Sequence, residues 1–198
     1  MKYYVLHHSP LTKRKQYLEH CFKLLNIEPT WVTGFLPDEI KLPAQNRFVN
    51  IREYSLYLKH AFCYEDMIKN NIEIATIFED DVVLWKEYRK YEEIFLKEFR
   101  ELKGDIMFHG TCCEIEPYEN IEGKHVYYHP DYRTRCAHCY MVTLNAVNKI
   151  VKHWYTNPKT PDHFLNEMIE KEGLRSCYTR PAIQEGVYTG VYKSSIKI

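Results

Sequence analysis

The sequence predicts an α/β chain in which a mixed, mostly parallel sheet is flanked by helices, in one domain spanning residues 1–198. Three observations predict it. Short apolar or aromatic runs alternate with stretches whose apolar residues recur every three to four positions. One run, Ile72-Glu73-Ile74-Ala75-Thr76-Ile77-Phe78, is apolar almost throughout, as a strand covered on both faces of a parallel sheet must be. No repeat and no Gly/Ser-rich linker interrupts the chain.

Tyr3-Tyr4-Val5-Leu6 is short, aromatic and β-branched, and Ser9-Pro10 stops it, so it reads as the first strand. Thr12 is placed to cap a helix over residues 12–26, with Tyr17, Leu18, Cys21, Phe22, Leu24 and Leu25 as its apolar stripe. Residues 30–33 form a second strand ended by Gly34, and residues 35–47, holding Pro37 and Pro43, read as loop. Asn50 followed by Glu53 resembles a capping box for a helix with Tyr54, Tyr57, Leu58, Ala61, Phe62 and Ile68 on one side. The strand over 72–78 comes next, then a helix carrying Tyr88, Tyr91, Phe95, Phe99 and Leu102 and closed by Gly104. Residues 105–108, 125–128 and 138–143 read as strands, with an irregular acidic stretch over 114–123. A helix over 145–155 turns Val147, Ile150, Val151 and Trp154 inward. Another starts at Thr160-Pro161 and stops at Gly173, and a last strand covers 174–179 before Pro181.

Composition narrows the class. With 45% hydrophobic and 27% charged residues, 7 Gly and 9 Pro, the chain is neither disordered nor collagen-like. Lys+Arg and Asp+Glu both number 27, which leaves no basic surplus for neutralising phosphates and argues against a nucleic-acid partner. No run approaches the roughly 20 apolar residues of a transmembrane segment. The first apolar stretch is too short for a signal peptide and is interrupted by His7 and His8. The odd count of seven scattered cysteines suits reduced thiols, so the expected location is cytoplasmic. The 17 tyrosines are expected to replace aliphatic residues in parts of the core and clefts.

The sharpest chemical feature is Phe78-Glu79-Asp80-Asp81-Val82. Three carboxylates in a row repel one another and cannot all be buried without partners. At the carboxyl end of a parallel strand they face the crevice where open α/β sheets bind ligands. Oxygen ligands there suit Mg²⁺ or Mn²⁺ shared with substrate phosphates, unless the block is only a solvated acidic turn. Because alternate residues project to the same side, Glu79 and Asp81 point one way and Asp80 the other. Leu6, His7 and Arg14 lie where the first strand meets the first helix, a usual nucleotide position; Lys13-Arg14-Lys15 is otherwise a solvated basic turn. Cys112-Cys113 and Cys136-x-x-Cys139, with His109 and His138 nearby, invite a zinc site or plain burial of Cys139, and adjacent cysteines suit one tetrahedral ion poorly. His125 and His129 share one strand face, either as metal ligands or as packing.

The surroundings of the acidic block resemble glycosyltransferase family 25, the lipopolysaccharide-biosynthesis and procollagen galactosyltransferase family, as a viral or bacterial-like member. The matching segments are Leu58-Lys59-His60, then Ile77-Phe78-Glu79-Asp80-Asp81-Val82, then Gly104-Asp105-Ile106-Met107-Phe108-His109-Gly110. Thr134-Arg135-Cys136-Ala137-His138-Cys139-Tyr140-Met141-Val142, Pro161-Asp162-His163-Phe164-Leu165 and Pro181-Ala182-Ile183-Gln184-Glu185-Gly186 follow in the family's order. The chain departs from the pattern in His109, where the family has Leu, in Glu185, inserted between Gln184 and Gly186, and in lacking a polybasic tail.

The resemblance implies a Rossmann-like GT-A fold, a UDP-sugar donor, a divalent metal, usually Mn²⁺, and inversion at the anomeric carbon. It implies Asp81 as main metal ligand, Glu79 as a ribose or metal contact, and Asp80 in the donor site. His60 is a donor contact by the same motif, or else a half-buried histidine satisfied by backbone. Gln184 closes the donor site, or else is a surface amide. Asp162 is the candidate catalytic base, or else a first-turn residue facing the helix dipole. The expected reaction moves a hexose or N-acetylhexosamine to a glycan, lipid-linked or hydroxylysine-type acceptor. The rival readings are an inactive UDP-sugar-binding or interaction module of the same fold and, further off, a zinc-dependent interaction module.

Overall fold

The computed structural model describes residues 1–42, 50–110, 122–128, 137–156, 158–187 and 189–193. In chain order the elements are β1 (Lys2–Leu6), α1 (Thr12–Leu25), β2 (Thr30–Val32), α2 (Ile51–Lys69), β3 (Ile74–Glu79), β4 (Val82–Val83) and α3 (Tyr88–Glu101). They continue with β5 (Ile106–Phe108), β6 (Val126–Tyr128), β7 (Cys139–Thr143), α4 (Leu144–Trp154), α5 (Pro161–Lys171), β8 (Ser176–Thr179) and β9 (Gln184–Glu185).

Seven strands form one sheet in the order β2-β1-β3-β7-β5-β8-β6. β1 is parallel to β2 and β3, and β5 to β8; β7 is antiparallel to β3 and β5, and β6 to β8. Most strands therefore point one way, which is the mixed, mostly parallel α/β sheet that the alternation of elements predicts. β4 and β9 make a separate two-stranded ladder, which has no counterpart in the sequence reading.

The pleat sorts side chains onto two faces. Tyr3, Val5, Phe78 and Cys139 pack under α1 with Leu18, Phe22 and Leu25, and α3 lays Phe95 and Phe99 on Met107, Met141 and Cys177 of the same face. Tyr4, Leu6, Ala75, Ile77, Tyr140 and Val142 face α2, α4 and α5. The tyrosines do fill core positions: Tyr4, Tyr57, Tyr64, Tyr88 and Tyr140 are fully buried. Trp154 stacks on Tyr57 at 4.3 Å and meets Phe164 edge-on at 4.5 Å, which ties α2, α4 and α5 together. Its truncation to alanine would cost about 3–5 kcal/mol.

Several local expectations shift. Thr12 is the first residue of α1 and not its cap, and Leu11, at the N-cap position, makes no side-chain cap. Asn50 does cap α2, its side chain accepting from the N–H groups of Arg52 and Glu53 at 2.9 and 3.1 Å. Leu24, Phe62 and Ile68 point outward, because α1 packs along the line Arg14, Leu18, Phe22, Leu25, and α2 along Tyr57, His60, Tyr64, Met67. After α3 the left-handed turn is taken by Lys103 (φ 51°), not by Gly104. Gly104 is needed for closeness: a Cβ there would lie 2.1 Å from the Phe99 ring. Among the described residues, no helix is long and apolar enough to cross a membrane.

Candidate active site

The chain leaves β1 through α1 to reach β2 on one side, then returns through α2 to β3 on the other. The connections diverge at this switch point and open a cleft beyond the carboxyl ends of β1 and β3. Leu6 pairs with Glu79 in the ladder, so His7 and His8 lie beside Asp80 and Asp81. The cleft is lined by Leu6, His7, Arg14, Glu79, Asp80 and Asp81, with Lys59 of α2 and Glu185 of β9.

Asp80 turns toward β1 and α1. One oxygen accepts from His7 Nδ1 (2.8 Å) and the His8 N–H (2.9 Å), and the other from Arg14 Nη1 (2.7 Å). Burial pushes this carboxyl up, but those hydrogen bonds and the Arg14 charge outweigh it and hold it below the usual carboxylate range. Arg14 also donates to the Lys193 carbonyl (2.6 Å) and lies over the Tyr192 ring. Asp80 and Arg14 thus bind the two strand ends and the last described turn to one another.

Asp81 is the opposite case. It is 8% exposed, its Oδ2 lies 3.6 Å from Arg14 Nη1, and its Oδ1 is buried with no partner. Burial, followed by the negative charge of Glu185, raises it to about 7 in spite of Arg14. Glu79 is pushed well above its ordinary value by burial, then by Asp81, Glu185, Asp80 and Asp162. Asp162, half-buried in the first turn of α5, is therefore close enough for its charge to act on Glu79.

His60 lies behind Glu79, fully buried, with Nε2 3.8 Å from Glu79 Oε1. Its Nδ1 shares a 2.7 Å hydrogen bond with the Tyr140 hydroxyl, which also meets Tyr64 at 2.6 Å. Burial, then the Lys59 charge, lowers it to about 3, so it is neutral. Its partner is a tyrosine, not backbone, and it faces the cleft only through Glu79. Gln184 is exposed on β9, opposite Val83, while the adjacent Glu185 faces the cleft.

Sequence reasoning singled out Glu185 only as an insertion. The β4–β9 ladder, in which Val82 pairs with Glu185, brings it to Asp81, and the Gly186 N–H donates to the Asp81 carbonyl at 2.7 Å. A Cβ on Gly186 would lie 2.4 Å from the Tyr192 ring and 2.8 Å from that carbonyl. The glycine after Glu185 was thus a usable signal of close backbone approach.

Among the described residues, no three His, Cys, Asp or Glu side chains converge as a metal-ligand set. The unpartnered Asp81 oxygen, with Glu79 and Glu185 lining the same cleft, is instead the kind of donor set a hard cation takes when one or two carboxylates hold it and phosphates and water complete its shell. Cys112, Cys113, Cys136 and His129 lie outside the described residues. Cys139 is buried in the apolar layer under α1, and His138 Nε2 donates to the Ile183 carbonyl at 3.0 Å.

Comparison with known proteins agrees with this architecture. A glycosyltransferase involved in the glycosylation of the major capsid of PBCV-1 shares the fold at a TM-score of 0.52 and 10% identity, over 90% of this chain and 82% of that one. A putative glucose-1-phosphate thymidylyltransferase from Bacillus anthracis, in complex with a sucrose, does so at 0.50 and 13% identity, over 94% and 89%. At such identities both speak for the fold alone. No curated protein matches significantly. The model of glycosyltransferase family 25 (LPS biosynthesis protein) matches residues 3–165, from β1 through the acidic block to α5. The chain belongs to glycosyltransferase family 25, and its chemistry is the transfer of a sugar.

Proposed function

We propose that the chain is an inverting glycosyltransferase that moves a hexose or N-acetylhexosamine from a UDP-sugar to the hydroxyl of a glycan, lipid-linked or hydroxylysine-type acceptor, assisted by a divalent cation, Mn²⁺ first. One observation carries the reading: Asp81, buried, raised to about 7 and with Oδ1 unpartnered, sits at the sheet's switch point beside two further carboxylates.

Asp81 and Glu79 would hold the cation, with Glu185 beside them. A divalent ion there supplies a Lewis acid that neutralises charge gathering on the leaving diphosphate. Asp80, committed to His7, His8 and Arg14, keeps the loops after β1 and β3 in place. Leu6, His7 and Arg14 wall the cleft on the nucleotide side, and Gln184 borders it on β9. His60 backs Glu79 as a neutral side chain. Asp162 takes the acceptor hydroxyl proton. The acceptor oxygen bonds to the anomeric carbon from the face opposite the leaving group, the sugar–phosphate C–O bond breaks, and its electron pair leaves on the β-phosphate.

Calorimetry with a panel of UDP-sugars tests the assignment. Mn²⁺ should tighten binding of one donor, and Asp81→Ala should abolish that gain while the protein stays folded. Asp162→Asn should keep donor affinity and lower transfer by about 10²–10⁴-fold. An Asp81→Ala protein that gains as much from metal as the parent refutes the metal site. Tight donor binding by the parent without transfer to any acceptor favours the inactive binding module.

A further inference from the structure

The cleft has a second wall, of opposite charge, that the reading above leaves unused. Arg52, Ser55, Leu56 and Lys59 all line it, and their spacing of three, one and three residues places them on one face of α2. Lys59 is the unusual member. It is only 3% exposed, and its one hydrogen bond runs from Nζ to Ser55 Oγ at 3.0 Å. Ser55 passes its own proton to the Phe35 carbonyl at 2.6 Å, so the hydroxyl serves Lys59 purely as an acceptor.

An ammonium group has three donors, and one is used here. Among the described residues no carboxylate lies within ion-pair distance of Lys59. Asp80, whose charge reaches it, has both oxygens occupied by His7, His8 and Arg14. A buried cation held by a single neutral hydrogen bond is costly, as the lowering of Lys59 by burial reflects. His8, also in the cleft, is lowered by burial and then by the Lys59 charge, so that charge is felt in the open space as well as at His60 behind it.

We propose that Lys59 is the anion-binding residue of the cleft, its free ammonium hydrogens receiving the diphosphate of the donor nucleotide across from the carboxylates. The assignment rests on the UDP-sugar reading and adds a residue to it. Opposed walls explain how a strongly acidic cleft accepts a diphosphate at all: the carboxylates act on it only through a cation, while Lys59 contacts it directly. As the anomeric C–O bond breaks and the electron pair settles on the β-phosphate oxygen, Lys59 strengthens its hydrogen bond without surrendering a proton.

The test uses inorganic pyrophosphate, UDP and uridine as calorimetric probes, in EDTA so that no cation contributes. Lys59→Met is expected to fold, since it replaces a poorly paired buried charge with an apolar chain of similar length; circular dichroism checks this. It should weaken pyrophosphate and UDP about tenfold or more and leave uridine unchanged, while Lys59→Arg keeps most of the affinity. Saturating UDP should abolish pyrophosphate binding. The proposal is overturned if the parent does not bind pyrophosphate, if folded Lys59→Met binds it as the parent does, or if pyrophosphate still binds under saturating UDP. If the parent binds pyrophosphate through Lys59 but not UDP, the uridine-nucleotide donor falls and the anion site stands.

Discussion

Two buried carboxylate clusters flank the same sheet and differ in what they leave undone. Under α3, Glu92 accepts from Tyr3 (2.9 Å) on one oxygen and Tyr88 (3.1 Å) on the other, and Arg89, also bonded to the Tyr3 hydroxyl, donates to it at 2.6 Å. At the cleft, Asp81 is also buried, though less deeply, and leaves Oδ1 without a partner, beside Glu79 and Glu185. Burial raises both groups. Around Glu92 hydrogen bonds to both oxygens and the Arg89 charge offset part of the cost of burial, and the cluster is structural. Around Asp81 no such bond reaches Oδ1, and the deficit is what the proposed cation would remove.

The contrast can be broken by mutation. Glu92→Ala removes the acceptor of two tyrosine hydroxyls, of which Tyr3 keeps only Arg89, and should destabilise the fold by about 3 kcal/mol, measured by urea melts, with transfer per folded molecule unchanged. A loss below about 1 kcal/mol would put the two clusters on the same footing. Asp81→Asn should do the reverse in EDTA at pH 8, stabilising by about 1–2 kcal/mol, because it removes a carboxylate whose ionisation the site opposes. Mn²⁺ should stabilise the parent and not this variant.

The pH dependence sharpens the same point. Asp81 rises from 3.8 to about 7, so between those values the folded state holds more protons than the unfolded, and the contribution of this group to stability is lost as pH rises through that window. In EDTA the melting temperature should therefore fall from pH 5 to pH 8, and Mn²⁺ should flatten the decline. A parent that is equally stable at both pH values without metal contradicts the unmet charge at Asp81. His109 offers the smallest effect. It is fully buried, neither ring nitrogen has a partner, and burial, then His138, lowers it to about 3. For a histidine lowered from 6.5, stability present above that pH is lost as pH falls toward 3. His109→Leu should thus lie within about 1 kcal/mol of the parent at pH 7.5 and soften its acid unfolding.

Much of this architecture was legible in local pattern. Ile74, Ala75, Ile77 and Phe78 announced a covered central strand, and Asn50 announced the start of α2. The alternation of a strand end foretold that Asp80 would turn from Glu79 and Asp81. What stayed hidden had no local signal. His60 looked like a donor contact through the family motif on its helix, yet it is fully buried behind Glu79 and bonded to Tyr140, which in turn meets Tyr64. Lys59 carried the right spacing to share a face with Arg52, but spacing cannot show that its charge is buried with no counter-ion among the described residues.

The sequence by itself determined the alternation of strands and helices and the place of the acidic block at a strand end, since both depend on periodicities of two and 3.6 residues within one segment. Only the tertiary structure decided which charges meet. Glu185 reaches Asp81 through a two-residue ladder joining distant parts of the chain, and the charge of Asp162, at the start of another helix, is felt at Glu79. Such encounters are set by how the layers close on the sheet, and electrostatic strength depends on the resulting distances and burial, neither of which a single segment encodes.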